Sequence, residues 1–274
     1  SFGPVEFESY LDVISLNDFT TIFSFSNQSN EGPQWSTEDL IIENELLYVS
    51  INNGFEWGNY KGIIAIINPV TFEYLEEIDL GPDGINPVKM YSKEGKIFSL
   101  NNKNFDGSSL SIYDSADSES DVYNLSTITS GCGASLLIDE KFYYQDSGQD
   151  QVYRFDVNLL EEDGIADNLN YNFYEMAFDS INNFIYASVT DYTSNNQILI
   201  FDQEYNLIND FIADVATSKI IFDIRTNMNS SIDMLSNKLS IVKSIDFLGR
   251  HSDESNITIN LFNDGSVSKH VLIK

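Results

Sequence analysis

One phrase of sequence returns along the chain at nearly constant intervals, and it constrains the fold more than any other feature. The phrase is an apolar strand, a tight turn, a second aromatic strand, a polar loop and a third strand that ends in Asp or Asn. The third strands are residues 62–68, 109–114, 151–156 and 197–202, with an earlier partial copy at 12–17. Their last residues are spaced by 51, 46, 42 and 46 positions. Each repeat is therefore one structural unit that buries its apolar face against the next unit.

The period identifies the kind of unit, because one four-stranded propeller blade takes about 40–50 residues. Each second strand follows a turn rich in Asp, Asn, Glu or Gly, which suits tight-turn backbone conformations. The second strands are residues 45–52, 96–102, 141–147 and 184–190, and weaker fourth strands follow at 74–80, 122–125 and 207–212. Helical periodicity is nearly absent from residues 1–225. The sequence predicts an all-β fold, a β-propeller with about five visible blades.

The two ends of the repeat region leave the blade number open. Residues 9–26 supply third and fourth strands, and residues 218–224 resemble a lone first strand. Either five blades close by completing one blade from both chain ends, or the chain is part of a larger propeller. The chain begins at Ser1 with neither an initiator Met nor a signal peptide, so we expect a processed form or a fragment.

Charge divides the chain into two parts. Residues 1–225 contain 9 Lys or Arg against 38 Asp or Glu, whereas residues 226–274 contain 5 of each. Such a shift indicates a boundary, so we expect a propeller over 1–225 and a small β module over 226–274. The net charge of −29 argues against nucleic acid and anionic membrane surfaces as partners. It reflects either solubility or an affinity for cationic ligands.

No apolar run approaches the about 20 residues that a membrane-spanning helix needs, so no membrane span is expected. The single Cys132 lies in a Gly-rich stretch before an apolar strand, where a small buried thiol is the expected role.

The repeats resemble the YncE-like class of bacterial surface propellers. In that class a phrase of the form Tyr-Val, then Asn, then Val-Ser-Val-Ile-Asp recurs in each blade. Here it is matched by residues 47–50 with 64–68, and by residues 97–99 with 110–114. The resemblance covers residues 9–224 and implies a propeller at the cell surface. Some members of the class bind corrinoids, but no residue motif here transfers that ligand.

The end of the chain resembles the type IX secretion C-terminal sorting domain. The matching residues are 244–250, with the Asp-Phe-Leu-Gly-Arg turn, 257–261, and the Asp-Gly-Ser-Val-Ser-Lys phrase within 263–274. The resemblance implies passage through the outer membrane, type IX secretion machinery as a partner, removal of the tail, and a secreted or outer-membrane surface location. Independently, Asp264-Gly265 between alternating strands predicts a β-hairpin. The alternative is a small terminal β module with a packing role.

Missing residue types exclude several chemistries from the body of the chain. Residues 1–225 contain no His, which excludes a Ser-His-Asp triad and a His-ligated metal there. Carboxylate chemistry and hard-cation binding remain. Asn102, Asn104 and Asp106 before a Gly have the alternating oxygen donors of a calcium loop. Position 12 of that loop is Tyr113 rather than Glu, so an ordinary loop is the alternative, and Ca²⁺ is the one candidate cofactor.

Aromatic side chains in polar loops mark the candidate ligand site. The loops between second and third strands lie on one face of a propeller, together with the connections between blades. Stacking rings beside Asn, Gln and Asp would suit a sugar or another planar polar ligand. The alternative is that the rings fold back as local packing. The candidate ligand-binding residues are Trp35, Phe55, Trp57, Tyr60, Phe105 and Tyr192.

These observations favour an exported binding module for a small polar ligand, a glycan or a surface protein over an enzyme. A carboxylate-dependent glycoside hydrolase or lyase and a structural module without a small ligand are the alternatives. Two acids converging in a central funnel would favour the enzyme. A broad face with exposed rings would favour the binding module.

Overall fold

A computed structural model describes residues 10–54, 56–129, 134–146, 150–167, 169–222, 241–245, 257–262 and 267–271. The chain divides into two compact units, Ser1–Asp223 and Ile224–Lys274. Within the described ranges the regular structure is β-strand apart from one 3-10 turn, Lys103–Phe105. Among these residues no helix is long and apolar enough to span a membrane.

The first unit begins with a two-stranded sheet and continues with four antiparallel sheets of four strands each, counted over the described residues. Strands that neighbour each other in a sheet also follow each other in the chain. The two-stranded sheet consists of β1 (Asp12–Ile14) and β2 (Thr21–Ser24). The first and second four-stranded sheets consist of β3 (Ser36–Glu43), β4 (Leu46–Asn52), β5 (Gly62–Asn68), β6 (Glu73–Asp79), β7 (Pro87–Lys93), β8 (Lys96–Asn101), β9 (Ser109–Asp114) and β10 (Glu119–Asn124). The third and fourth consist of β11 (Ser135–Ile138), β12 (Lys141–Gln145), β13 (Val152–Asp156), β14 (Glu161–Ile165), β15 (Phe173–Asp179), β16 (Phe184–Val189), β17 (Gln197–Phe201) and β18 (Leu207–Ile212).

The turns between first and second strands explain why the repeats fold as hairpins. Asn44, Glu94, Asp139 and Asn183 all have positive φ, at 49°, 53°, 50° and 58°. Asn and Asp tolerate this left-handed conformation better than other residues with a side chain, because they bond nearby backbone groups. These are the turns that the sequence predicted, and they set the register of each strand pair.

Neighbouring sheets share their cores. Ile97 and Phe98 are adjacent in β8 and point to opposite faces of the second sheet. Ile97 lies in a buried cluster with Tyr48 of the first sheet, and Phe98 lies in another with Phe142 of the third. A further cluster joins the third and fourth sheets. The first three four-stranded sheets therefore each contribute to two of the buried clusters, and the fourth contributes to one.

The first strands of successive sheets contact each other, β3 with β7, β7 with β11 and β11 with β15. Four-stranded sheets that meet along their first strands and share cores face to face are the blades of a β-propeller. The predicted fold class is confirmed. The observed β5 and β9 have the predicted bounds, and β13 and β17 differ by one residue.

The described segments nearest the two ends of the first unit both contact the first blade. Phe25, which follows β2, is buried with Val49 and Ile63 of the first blade, as third and fourth strands of an adjoining blade would be. Residues 218–222 form no strand, contrary to the expectation of a first strand, and 223–224 lie outside the described residues. Lys219 instead reaches Asp39 of β3, with 3.2 Å between Nζ and Oδ1.

The second unit contains a three-stranded antiparallel sheet in its described part. The strands are β19 (Ile241–Ile245), β20 (Ile257–Phe262) and β21 (Val267–Val271). β20 pairs with β21, with Leu261 opposite Val267, as the predicted hairpin requires. The Asp-Phe-Leu-Gly-Arg turn at 246–250 and the Asp264-Gly265 turn lie outside the described residues. The domain boundary at 225 and the secretion role of this module stay predictions.

Candidate ligand-binding site

Loops from adjacent blades are hydrogen-bonded into a common rim. We define the rim as the loops between second and third strands together with the connections between blades. The Asn86 amide donates to the carbonyl oxygen of Lys61 at 2.9 Å, and the Asn102 amide donates to the carbonyl oxygen of Asn86 at 3.0 Å. The connection between the first two blades is thus held between two of the loops that the sequence nominated.

Trp57, Tyr60 and Trp35 lie in this rim at the first blade. Trp57 is 90% exposed, and its ring meets the edge of Tyr60 with centroids 6.3 Å apart. Trp35 is partly buried, and the Lys61 ammonium lies 5.3 Å from its ring centre. Trp57 therefore presents a ring to solvent, whereas Trp35 is engaged in a cation–π contact. Phe55 lies outside the described residues.

Phe105 and Tyr192 are carried by rim loops of two other blades. Phe105 ends the 3-10 turn of the second blade and is 57% exposed. Tyr192, in the fourth blade, is 64% exposed, and its ring meets Tyr174 at 5.4 Å between centroids. The described candidates therefore belong to four segments, with Trp57 and Tyr60 in one loop. Tyr192 is the candidate whose ring contacts β15, through Tyr174.

The loop that carries Trp57 is organised by one carboxylate. Glu56 accepts hydrogen bonds from the side-chain amides of Asn53 at 2.6 Å and Asn59 at 2.9 Å. These bonds lower the pKa of Glu56. The result is a loop whose own side chains hold it in place while the ring of Trp57 stays in solvent.

The predicted calcium loop is arranged around a lysine. Asn102 is buried, and Asn104 has a left-handed backbone with φ of 55°. Lys103 Nζ bonds Asp83 at 2.7 Å and Asn124 at 2.9 Å. Within the described residues no group of three or more His, Cys, Asp or Glu could hold a metal ion. The calcium site at Asn102, Asn104 and Asp106 stays a prediction.

The sequence did not nominate a cavity of about 330 Å³ that lies between the first strands of three blades. We call it the axial pocket. Glu38, Lys89 and Tyr174 are the third, third and second residues of β3, β7 and β15, so the pocket lies at the rim end of these strands. Its lining residues are Glu38, Asp39, Val88, Lys89, Tyr174, Ser218 and Lys219.

Two ion pairs involve residues that line the pocket. Lys89 of β7 and Glu175 of β15 are 2.6 Å apart, with side chains only 12% and 6% exposed. This pair joins the second blade to the fourth. Asp39 pairs with Lys219 at 3.2 Å and also accepts the Met90 amide at 2.9 Å. Buried charges are tolerated when they are paired and hydrogen-bonded in this way.

Glu38 differs from Asp39, which also lines the pocket, and from Glu175 beside it. Among the described residues no Lys, Arg or His lies within the ion-pairing distance of 4.0 Å of its carboxylate. Its closest polar partner is the Asn52 side-chain amide at 3.4 Å. The side chain stays accessible at the pocket mouth, yet desolvation by its neighbours raises its pKa. Burial likewise raises the pKa of Glu175, and the ammonium of Lys89 opposes that effect.

The pocket is therefore lined by two acids and two bases. Asp39 is paired with Lys219, and Lys89 is paired with Glu175 beside the pocket. A ligand that brings a positive group would meet the remaining carboxylate of Glu38 without breaking either ion pair. A charged residue in the apolar first strand of a repeat was the signal in the sequence for this site. Glu38, Lys89 and Glu175 all carry that signal.

No protein-family model matches the chain, and no curated protein matches it. Two solved structures are examples of what the chain is similar to. A structure of Kluyveromyces lactis Hsv2 with loop 6CD complete has a TM-score of 0.48 and 10% identity, over 96% of this chain and 67% of that one. BBS1N in complex with ARL6DN, soaked with lead, has a TM-score of 0.48 and 13% identity, over 94% of this chain and 70% of that one. At this level of similarity, no residue's role can be transferred from those proteins to this chain. The fold class rests instead on the blades and their shared cores.

The blades and their shared cores define the class of protein as a β-propeller, a fold that serves generally as a binding or scaffold module. 

Proposed function

We propose that this chain is an exported binding module, at the cell surface or secreted, whose axial pocket holds a small polar ligand with a cationic group. The observation that carries the proposal is Glu38, an unpaired carboxylate at the mouth of a pocket whose other charges are neutralised. The exposed Tyr192, in contact with Tyr174 of the pocket, offers a ring beside that mouth.

Export is supported by the resemblance of residues 226–274 to a type IX secretion sorting domain. The partner in that step is the secretion machinery. The net charge of −29 supports a cationic ligand over an anionic one, because the field of the whole protein attracts positive groups.

Matched sugars test the ligand chemistry. Glucosamine and glucose share a ring and differ at one position, where an ammonium group of glucosamine replaces a hydroxyl group of glucose. A difference in binding between them therefore reports on that one substituent. We expect glucosamine, and other small amines, to raise the melting temperature, and glucose to leave it unchanged. A ligand at 100 times its Kd stabilises the fold by about 2.7 kcal/mol.

The Glu38→Gln variant is the control, because it removes the charge and keeps the shape. It should abolish the response to glucosamine without lowering the melting temperature of the free protein. Equal responses to glucose and glucosamine, or an unchanged response in Glu38→Gln, would contradict the proposal. No response to any small amine would favour the structural module.

Two carboxyl groups with raised pKa values, Glu38 and Glu175, keep the glycoside hydrolase or lyase as a second candidate. A general acid at neutral pH requires a raised pKa. Against this, Glu175 is engaged by Lys89 at 2.6 Å. Release of reducing ends from a glycan panel by the wild-type chain, lost in Glu175→Gln and in Glu38→Gln, would favour the enzyme.

A further inference from the structure

A second cavity, of about 310 Å³, lies between the third and fourth blades. It is bordered by the turn between β11 and β12 and by the turn between β17 and β18. Because neighbouring strands of a blade are antiparallel, these turns lie at the opposite end of the blades from the rim loops. We call this cavity the interblade groove, and it shares no lining residue with the axial pocket.

The inside of the interblade groove combines apolar side chains with aromatic rings. Ile138 and Ile185 contribute the apolar part, and Ile185 is buried. The rings of Tyr143 and Tyr205 meet edge to face with centroids 6.2 Å apart, and their hydroxyl oxygens are 2.8 Å apart. An aliphatic chain that entered the groove would therefore lie against apolar groups and rings.

Asp139, Glu140 and Lys141 bring charges to the groove, and two of them are already paired. Lys141 is held by two acids of β13 and β14, each 2.6 Å from its Nζ. Glu140 Oε1 is 3.0 Å from Lys93 Nζ. Among the described residues no Lys, Arg or His lies within the ion-pairing distance of 4.0 Å of the Asp139 carboxylate. A positive group in the groove would therefore meet a carboxylate that has no counter-ion.

The equivalent cavity between the second and third blades shows which group fits such a place. It is smaller, about 160 Å³, and Lys93 lines it and crosses it to Glu140 of the third blade. Lys93 and Ile138 are equivalent, because each ends a first strand and lies opposite the first residue of the second strand. Ile138 carries no ammonium. The interblade groove therefore keeps an acid in its turn, Asp139 where the smaller cavity has Glu94, without the lysine beside it.

We propose that the interblade groove is a docking site for a lysine side chain of a partner protein. The stem of that lysine lies along Ile138 and the ring of Tyr205, as the stems of long charged side chains do on apolar surfaces. Its ammonium takes the place that Lys93 has in the smaller cavity and pairs with Asp139. The side chain of Gln203 lines the groove and makes no hydrogen bond to another described residue, so its amide can pair with the partner's backbone beside the lysine. The net charge of −29 attracts a basic partner to this acid.

NMR titration of the full chain with two blocked pentapeptides tests the proposal. One peptide is acetyl-Gly-Gly-Lys-Gly-Gly-amide, and the other has norleucine in place of lysine, which keeps the aliphatic stem and removes the ammonium. We expect the lysine peptide to shift the amide resonances of residues 138–141 and 203–205, and to bind about 2- to 10-fold more tightly than the norleucine peptide. Butylamine, which is the lysine side chain without a backbone, should bind more weakly than the lysine peptide.

Asp139→Asn and Glu94→Gln form a matched pair of variants. Each removes one negative charge from a turn residue with positive φ, 50° and 53°, so the net charge of the chain changes equally in both. Asn tolerates this backbone conformation as Asp does, so the fold of Asp139→Asn is not at risk. We expect the Kd of the lysine peptide to rise about 2- to 10-fold in Asp139→Asn and to stay unchanged in Glu94→Gln.

Equal binding of the lysine and norleucine peptides overturns the proposal, and so do equal losses in the two variants. An absence of any shift overturns it as well. Shifts centred on Glu38 and Lys89 would place the peptide in the axial pocket and not in the interblade groove. Butylamine that binds as tightly as the lysine peptide would make the groove a site for small amines, which contradicts the docking of a protein.

Discussion

Replacing Lys89 by Met, with Glu175 left in place, tests whether the axial ion pair is buried as the structure indicates. The two charges are 2.6 Å apart, and their side chains are 12% and 6% exposed. Removing one partner of such a pair leaves an uncompensated charge and costs about 3–5 kcal/mol. Replacing both residues with Met should cost far less, because two apolar chains of similar length need no compensation.

The loss of unfolding free energy in Lys89→Met should depend on pH. Burial raises the pKa of Glu175, and Lys89 opposes that rise, so the variant raises the pKa further. A carboxyl with a raised pKa in the folded state favours folding most where it is protonated, below its unfolded pKa of about 4.3. That contribution is lost as the pH rises through the folded pKa. The free energy of unfolding of Lys89→Met should therefore be closest to that of the wild type near pH 4 and furthest below it at pH 7 and above.

Urea unfolding followed by tryptophan fluorescence measures these differences in the first unit, where both Trp35 and Trp57 lie. The wild type, Lys89→Met, Glu175→Met and the double variant form a complete cycle. A cost below about 1 kcal/mol for Lys89→Met at pH 7.5 would show that water reaches the pair. A double variant as unstable as the single variant would show that packing, and not charge, holds the position.

Two further predictions concern the blades themselves. A Cβ on Gly62 would overlap the backbone carbonyl of Gly84, whereas a Cβ on Gly54 would meet nothing closer than 3.7 Å. Gly62→Ala should therefore lower the unfolding free energy by about 1–3 kcal/mol and Gly54→Ala by less than about 0.5 kcal/mol, measured by denaturant titration; equal losses would contradict the close approach. The ammonium of Lys141, 2.6 Å from Asp156, is the main reason that the pKa of Asp156 is lowered from 3.8 to about 2. The contribution of this pair to the free energy of unfolding should be complete above about pH 4 and lost as the pH falls through about 2. In Lys141→Met, carboxyl NMR titration should show the pKa of Asp156 returning toward 3.8. An unchanged pKa in that variant would argue against the pair.

Strand bounds were predictable wherever the reason for them is local. β5 and β9 end at the Asp or Asn that closes each repeat, and positive φ occurs at Asn44 and Asn183 where the turns were expected. The alternation of apolar residues and the residue preferences of turns act over a few positions, so they can be recognised in a single sequence. β10 was harder to predict, because its first three residues are Glu, Ser and Asp and carry no apolar pattern. It begins at Glu119, three residues before the predicted start.

The aromatic rim was predictable only as a set of rings in polar loops. Which rings stay in solvent depends on partners elsewhere in the chain. Trp35 is covered by Lys61, Trp57 remains exposed, and Tyr192 turns to Tyr174. Composition cannot separate these outcomes, because all three residues lie in loops of similar polarity.

The sequence by itself determined that the chain forms repeated four-stranded β units, because period and turn chemistry are local properties. Only the tertiary structure decided where the charges meet. Lys89 and Glu175 are 86 residues apart, and Asp39 and Lys219 are 180 apart. No local pattern couples such distant positions. Lys89 and Glu175 become neighbours because blades arranged around an axis bring their first strands together, and the pocket between those strands is a property of that arrangement. Lys219 reaches Asp39 from the segment that follows the last strand of the fourth blade.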